Sequence, residues 1–197
     1  MKSRPNKLPL SFYLQESVTL IARGLIGMRL CSFKDDVITS GIIVETEAYE
    51  GITDKASHAY NNRRTARTEI MFQKGGVAYV YLCYGMHHLF NVVTNIEGVP
   101  HAVLIRAIFP TDGIDTMKQR TAKQSMGFKA TNGPGKLAKA LGIHTSDTGE
   151  NLTGNKIWIE KTNIQIKQGD IVAGPRIGVG YAGEDALLPY RFMKSLI

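Results

Sequence analysis

The chain has 197 residues, 43% of them apolar and 21% charged. That is the ordinary balance of a soluble globular protein, and at this length one domain buries roughly 70% of its unfolded surface. The net charge of +7 and a pI near 9.4 fit a polyanionic partner such as nucleic acid, or simply a basic solvated surface, while two cysteines, Cys31 and Cys83, exclude a disulfide framework, and no apolar run has the length of a membrane span or a signal peptide. Reduced thiols in a cytoplasmic protein without membrane attachment are therefore expected.

In ESVTLIARGLIG, the residues Val18, Ile21, Ala22 and Leu25 follow the i, i+3, i+4, i+7 spacing of an amphipathic helix, with Gly27 placed to end it. MRLCSF and the long strand Val37–Tyr49 read as a hairpin turning at Lys34, Asp35 and Asp36. Residues 51–68 are polar, irregular and rich in arginine, a long loop of the kind that is functional or disordered in compact domains. Strands return in VAYVYLC, HLFNVVT and HAVLIRAIF. Residues 112–124 predict a surface helix, and KLAKALG a second one after an NGPG turn. The end of the chain, KIWIEK, QIKQGDIV and GPRIGVGY, reads as strand again. The glycines of the last run suggest tight turns and a bent strand, and no GK[ST] follows to make a phosphate loop. Strands outnumber helices and do not alternate with them. The prediction is an α+β fold, a single domain over residues 1–197, with a curved, mostly antiparallel sheet flanked by several α-helices.

VETEAYEG carries the first chemical signal. With a period of two, Glu45, Glu47 and Tyr49 share one face of the strand and Val44, Thr46 and Ala48 the other. Either the acidic face is wet, or it lines a site that needs a carboxylate. In VAYVYLCYGMHH, Tyr79, Tyr81 and Cys83 share a face before the chain turns at Gly85. Each tyrosine alone is an ordinary strand residue. Yet about sixty residues bring together Tyr49, His58, Tyr60, Tyr79, Tyr81, Tyr84, His87 and His88 with Arg63, Arg64, Arg67 and Arg106. Rings interleaved with arginine are what base stacking and phosphate neutralisation require. His87 and His88 are adjacent and point to opposite faces of a strand, and neither HExxH nor a Cys–His spacing occurs, so no metal and no cofactor is expected. Glu45 and Glu47 with a distant histidine remain the alternative metal site.

The runs VETEAYEG, ASHAY, RRTART, AYVYLCYGMHHLFNVVT, AVLIRA, NGPGKLAKALGI and GPRIGVGYAGED together resemble the alkyladenine (3-methyladenine, methylpurine) DNA glycosylases, in order and over nearly the whole chain. The resemblance implies that Glu47 activates the attacking water and Arg106 helps hold it. A carboxylate suits a cleavage that passes through an oxocarbenium-like state. It implies that Tyr49, His58 and Tyr81 sandwich an extruded base, that Asn91 blocks the exocyclic amino group of guanine, and that Tyr84 enters the duplex in place of the extruded nucleotide. Arg63, Arg67, Met86 and His87 are expected to contact DNA. No catalytic role is implied for Glu45. The run departs from the family pattern at Thr68, where asparagine is usual. The expected activity is monofunctional excision of 3-methyladenine and 7-methylguanine, with hypoxanthine and ethenoadenine as further candidates, from double-stranded DNA by a monomer that is nucleoid-associated when bound. The competing readings are a metal-dependent nuclease using Glu45 and Glu47, and a non-catalytic nucleic-acid-binding module.

Overall fold

The computed structural model describes residues 6–194. After the one-turn helix α1 (Leu10–Tyr13), α2 (Val18–Gly24) starts at Ser17, whose hydroxyl accepts the Leu20 N–H at 3.3 Å. This satisfies one orphan amide and is worth about 0.5–2 kcal/mol. The helix ends at Gly24 and the chain reverses at Gly27, φ +86°, into β1 (Arg29–Lys34). Asp35 and Asp36, at φ 53° and 58°, form the two-residue turn to β2 (Val37–Tyr49), with Lys34 paired to Val37. Two successive positive φ values are the geometry whose twist matches a hairpin, and aspartate tolerates them.

The remaining strands are β3 (Ala78–Cys83), β4 (His87–Thr94), β5 (His101–Asp112), β6 (Ile157–Glu160), β7 (Ile171–Gly174) and β8 (Arg191–Lys194). All pair antiparallel in one sheet of order β3-β4-β5-β2-β1-β6, with β8 joined to β2 and β7 to β8. The first half of β2 pairs with β1, and its second half, Glu45 to Glu47, pairs with β8. Its opposite edge runs along β5, so β2 is held on both sides. Helices α2, α3 (Ile114–Thr121) and α5 (Pro134–Leu141), with Leu25 just after α2, pack Ile21, Leu25, Met117, Leu137 and Leu141 against Ile43, Ala48, Phe90, Val92, Val103 and Ile105 in the main core. A short α4 (Phe128–Thr131) precedes α5. The opposite face of the sheet carries smaller clusters around Met71, Phe72 and Tyr79, and around Ala56, Val179 and Ala182. The α+β reading holds: helices cover one face and loops the other.

Beyond Gly174, which ends β7, GPRIGVGY is not a strand. Residues 175–179 are irregular, and Gly180–Leu187 forms a 3-10 run kinked at Gly183. Positive φ at Gly178 (77°) within the run, and at Gly183 (60°) just after it, is incompatible with an extended ladder. The closing strand is RFMK. The 112–124 helix is shorter than expected, because Asp112 still belongs to β5.

The period-two pattern of β2 also breaks once. Ile43 pairs with Ile108 and Glu45 with Ala107, while Thr46 pairs with Ile105. Val44 on β2 and Arg106 on β5 are thus left without a partner across this pair, two adjacent bulges. A bulge re-aims side chains: Ile43 goes to the core although Glu45 and Glu47, of the same parity, face the other way.

Two loops close over that second face, and a buried ion pair joins them. Arg176, from the irregular 175–179 segment, is clasped by both oxygens of Asp54, from the 51–68 loop, with Nη2–Oδ1 at 2.8 Å. Both side chains are essentially inaccessible. The guanidinium also donates to the carbonyls of Ala48 and Asp185 and lies over the rings of Tyr49 and Tyr190. Removing one partner strands a buried charge. Asp54→Ala is therefore expected to destabilise the fold by about 3–5 kcal/mol, lowering the Tm by about 10 °C for a chain of this size; calorimetry showing an unchanged Tm would contradict the arrangement.

Candidate active site

One row of the sheet organises the site. Tyr79 pairs with Asn91, Asn91 with Leu104, Leu104 with Glu47, and Glu47 with Arg191, so residues from β3, β4, β5, β2 and β8 stand at one height. Alternation sends Ala78, Val80, Phe90, Val92, Val103 and Ile105 into the main core and leaves Tyr79, Tyr81, Asn91, Leu104 and Arg106 on the loop-covered face. There they enclose a cavity of about 270 Å³, together with Tyr49, His58, Tyr84, Ile177 and Tyr181.

Glu47 lies just behind the cavity wall, with no solvent contact. Its Oε1 accepts the Ile177 N–H at 2.8 Å and lies 3.3 Å from Arg106 Nη1; its Oε2 accepts the Tyr49 hydroxyl at 2.8 Å. All three partners line the cavity. Glu45 answers the question its neighbour raised. It is slightly accessible, accepts from Arg106 Nε at 3.1 Å and lies 3.5 Å from Arg191 Nη1. A guanidinium sits between the two acids, so their repulsion is neutralised and they do not converge on a shared metal position. This removes the geometric basis of the nuclease reading.

The 51–68 loop delivers His58 to the opposite wall. The His58 Nδ1 is 2.8 Å from the Tyr79 hydroxyl, and its ring meets Tyr81 edge-on, with centroids 4.7 Å apart. The amide group of Asn91 donates to the carbonyls of Tyr79 and Leu89, at 3.1 and 3.2 Å. Only the NH₂ end can do so, which fixes the side-chain orientation and rigidity.

Around the rim, Tyr84-Gly85-Met86 forms the tip between β3 and β4. Tyr84 is 89% exposed and has φ 51°, a left-handed conformation costing about 1–2 kcal/mol in a non-glycine residue. Strain of this kind concentrates at functional positions. Met86 and His87 are exposed beside it. Arg63 and Arg67 are exposed and form no ion pair among the described residues, whereas Arg64 bonds Glu69 at 3.0 Å and covers the Phe72 ring. Thr68 is buried; its hydroxyl donates to the Arg63 carbonyl at 2.9 Å and accepts the Thr65 N–H at 2.8 Å, folding the arginine loop. Every residue assigned from sequence to the water or the base, Glu47, Arg106, Tyr49, His58, Tyr81 and Asn91, gathers at this one cavity. Tyr79, Ile177 and Tyr181 line it without having been assigned; Ile177 bonds Glu47 through its backbone, which no side-chain pattern reveals.

The rings of the cavity are held neutral. Burial, then the Glu47 charge and hydrogen bond, push the Tyr49 phenol well above its ordinary range, so it remains a donor to the carboxylate. Burial raises Tyr81 as well and brings Tyr79 up to about 12. Burial, followed by the charges of Arg67 and Arg63, brings His58 down to about 4. A histidine that is neutral when folded contributes stability above its unfolded pKa of about 6.5 and loses it as pH falls toward the folded value. NMR titration is expected to find His58 half-protonated near pH 4, with thermal stability declining from pH 6.5 to 4; an imidazolium already present at pH 6 would contradict this packing.

Residues 11–195 match the family described as Methylpurine-DNA glycosylase (MPG). A Chlamydia pneumoniae protein is 48% identical over 185 residues, 93% of each chain, and one from Bacillus cytotoxicus is 46% identical over 194 residues, 94% of this chain and 95% of its own. A Chlamydia felis protein is 47% identical over 190 residues, 96% of each chain. All three are provisionally named 3-methyladenine DNA glycosylase. With a family match that spans nearly the whole sequence and relatives at this identity, the chain belongs to the methylpurine-DNA glycosylase family of hydrolytic N-glycosylases.

Proposed function

We propose that the protein is a monofunctional glycosylase that turns damaged purines out of double-stranded DNA and hydrolyses their N-glycosidic bond with a water activated by Glu47. The observation that carries this reading is a solvent-free carboxylate fixed by Tyr49, Ile177 and Arg106 immediately behind a ring-lined cavity. A carboxylate accepts about four hydrogen bonds. Oε1 has two partners and Oε2 one, so Oε2 keeps lone-pair capacity for a water, which reaches this solvent-free side chain only when Tyr49 or Ile177 in front of it yields. Glu47 then takes the proton of the attacking water, and its charge stabilises the oxocarbenium-like sugar as the base departs. Water is the nucleophile, so no covalent enzyme–sugar bond forms and no strand is cut.

A cavity of about 270 Å³ is small for a ligand pocket, about 300–1,000 Å³, and suits one base. Tyr49, His58 and Tyr81 stack the extruded purine, and the tethered amide of Asn91 excludes the guanine amino group by its fixed bulk. Extrusion costs a few kcal/mol, least for damaged bases. The exposed, preset Tyr84 fills the gap in the duplex, flanked by Met86 and His87, while Arg63 and Arg67 neutralise phosphates. A monomer suffices, since one chain supplies every group named. Alkylated 3-methyladenine and 7-methylguanine carry positive charge and leave readily; hypoxanthine and ethenoadenine are further candidate substrates.

Glu47→Gln keeps the shape of the side chain and removes the base. In single-turnover incubation with methylated or hypoxanthine-containing duplex in EDTA, it is expected to lose about 10²–10⁴-fold in release of free base while still binding the damaged duplex. The wild-type protein should give strand breaks only after alkali. Normal release by the variant would remove Glu47 from its role, and breaks before alkali would exclude the monofunctional reading. Tyr84→Ala is expected to weaken binding of a lesion duplex by about 1–3 kcal/mol, the worth of one stacked ring, measured by titration at fixed salt.

A further inference from the structure

We infer that Glu45 is a positioning residue for the reaction: it holds Arg106 in the orientation in which Arg106 engages Glu47. The inference rests on the proposed role of Glu47 and extends it to an acid whose role neither the sequence pattern nor the family resemblance supplies.

The geometry is a chain of four alternating charges crossing three strands. Arg191 on β8 faces Glu45 on β2, Glu45 faces Arg106 on β5, and Arg106 faces Glu47 on β2. Arg106 uses different nitrogens for its two acids: Nε to Glu45 at 3.1 Å and Nη1 to Glu47 at 3.3 Å. A planar guanidinium bound through two edges has its rotation fixed. Bonded to Glu47 alone, it would be free to swing about one contact.

The backbone keeps these two residues side by side. Arg106 is the residue left unpaired between the rungs Glu45–Ala107 and Thr46–Ile105, and Val44 is left unpaired on the other strand. The register is the same beyond both shifts, Ile43 with Ile108 and Thr46 with Ile105, so an uninterrupted ladder would set Glu45 directly opposite Arg106. The two bulges move Glu45 onto the Ala107 rung and leave Arg106 out of the ladder with β2, yet the two side chains stay joined at 3.1 Å. Glu45 does not line the cavity and Arg106 does, so Glu45 acts on the reaction only through Arg106. Arg191 closes the chain from the far side, its Nη1 3.5 Å from Glu45.

Glu45→Gln retains size and an acceptor oxygen and removes the charge. Excision under single turnover should fall about tenfold to a hundredfold, the scale of a misplaced catalytic group, with the Kd for lesion duplex unchanged within about twofold. Glu45→Asp, which keeps the charge on a shorter stem, should recover part of the rate. The deciding readout is a double-mutant cycle. If Glu45 works through Arg106, then Glu45→Gln combined with Arg106→Ala is no slower than Arg106→Ala alone. Independent, multiplying losses, or a Glu45→Gln rate equal to wild type, would overturn the inference. A parallel loss of Tm and of duplex binding in Glu45→Gln and Glu45→Asp alike would make Glu45 merely structural and overturn it too. Failure of the Glu47 reading is separately visible, because Glu47→Gln on the same duplex would then retain activity whatever the cycle shows.

Discussion

A carboxylate without solvent contact in the middle of a sheet is the constraint on which the rest of this structure depends. Desolvating an ionised acid is costly unless hydrogen bonds and opposite charge replace the lost water. Glu47 obtains both from three unrelated parts of the chain: a phenol two residues along its own strand, a guanidinium from the neighbouring strand, and a backbone amide from the segment near the C-terminus. Each of these groups is in turn held by something else. Arg106 is held by Glu45, Tyr49 by the Arg176 guanidinium over its ring, and Ile177 by the adjacent Arg176–Asp54 clasp. The solvation demand of one side chain therefore ties β2, β5 and two loops into a single arrangement.

The fold serves that arrangement by division of labour between the two faces of the sheet. The helix-covered face is packed with aliphatic side chains and supplies the burial that keeps the strands in register. The other face is freed from that task and carries rings, an amide and charges at matching heights. Groups placed on paired strands are held more accurately than groups on loops, and Glu47, Arg106, Tyr81 and Asn91 are all on strands. The cavity wall opposite them comes from a loop, but one stapled by a buried ion pair and by the small buried residues Ala56 and Ala59.

Much of this was legible in the sequence, for identifiable reasons. Alternation in VETEAY and VAYVYLC placed the acids and tyrosines on one face because the side-chain period of a strand is 2, and the Asp35-Asp36 turn followed from the two strands that flank it. The α+β class followed from the order of elements. Three features escaped. The bulge pair at Val44 and Arg106 changes which residues face each other without leaving a mark in local composition. The GPRIGVGY segment has strand-like residues between its glycines, yet positive φ values and the inward pull of Asp54 on Arg176 make it irregular. The partner of Glu47 within that segment is a backbone N–H, which every residue except proline possesses, so nothing in the identity of Ile177 could announce it.

Charge selectivity follows from the same set of interactions. Under the proposed mechanism the most reactive substrates are purines made cationic by alkylation, and a pocket for them has to avoid positive charge at its stacking surfaces. His58 is the one ring there that could acquire such a charge, and burial with Arg63 and Arg67 nearby brings it down to about 4, so the stack is neutral at physiological pH. Under that mechanism the same arginines act twice: toward the phosphates as cations, and toward His58 as neighbours that make its protonation unfavourable. Tyr49 lines the cavity while its hydroxyl bonds Glu47, so a ring able to favour a cationic base is held by the carboxylate proposed to activate the water that attacks the sugar. The guanidinium of Arg106, the only cation lining the cavity among the described residues, is balanced on two sides by Glu45 and Glu47. A positively charged base therefore meets neutral rings and a compensated arginine, with the anion behind them at the point where positive charge develops on the sugar.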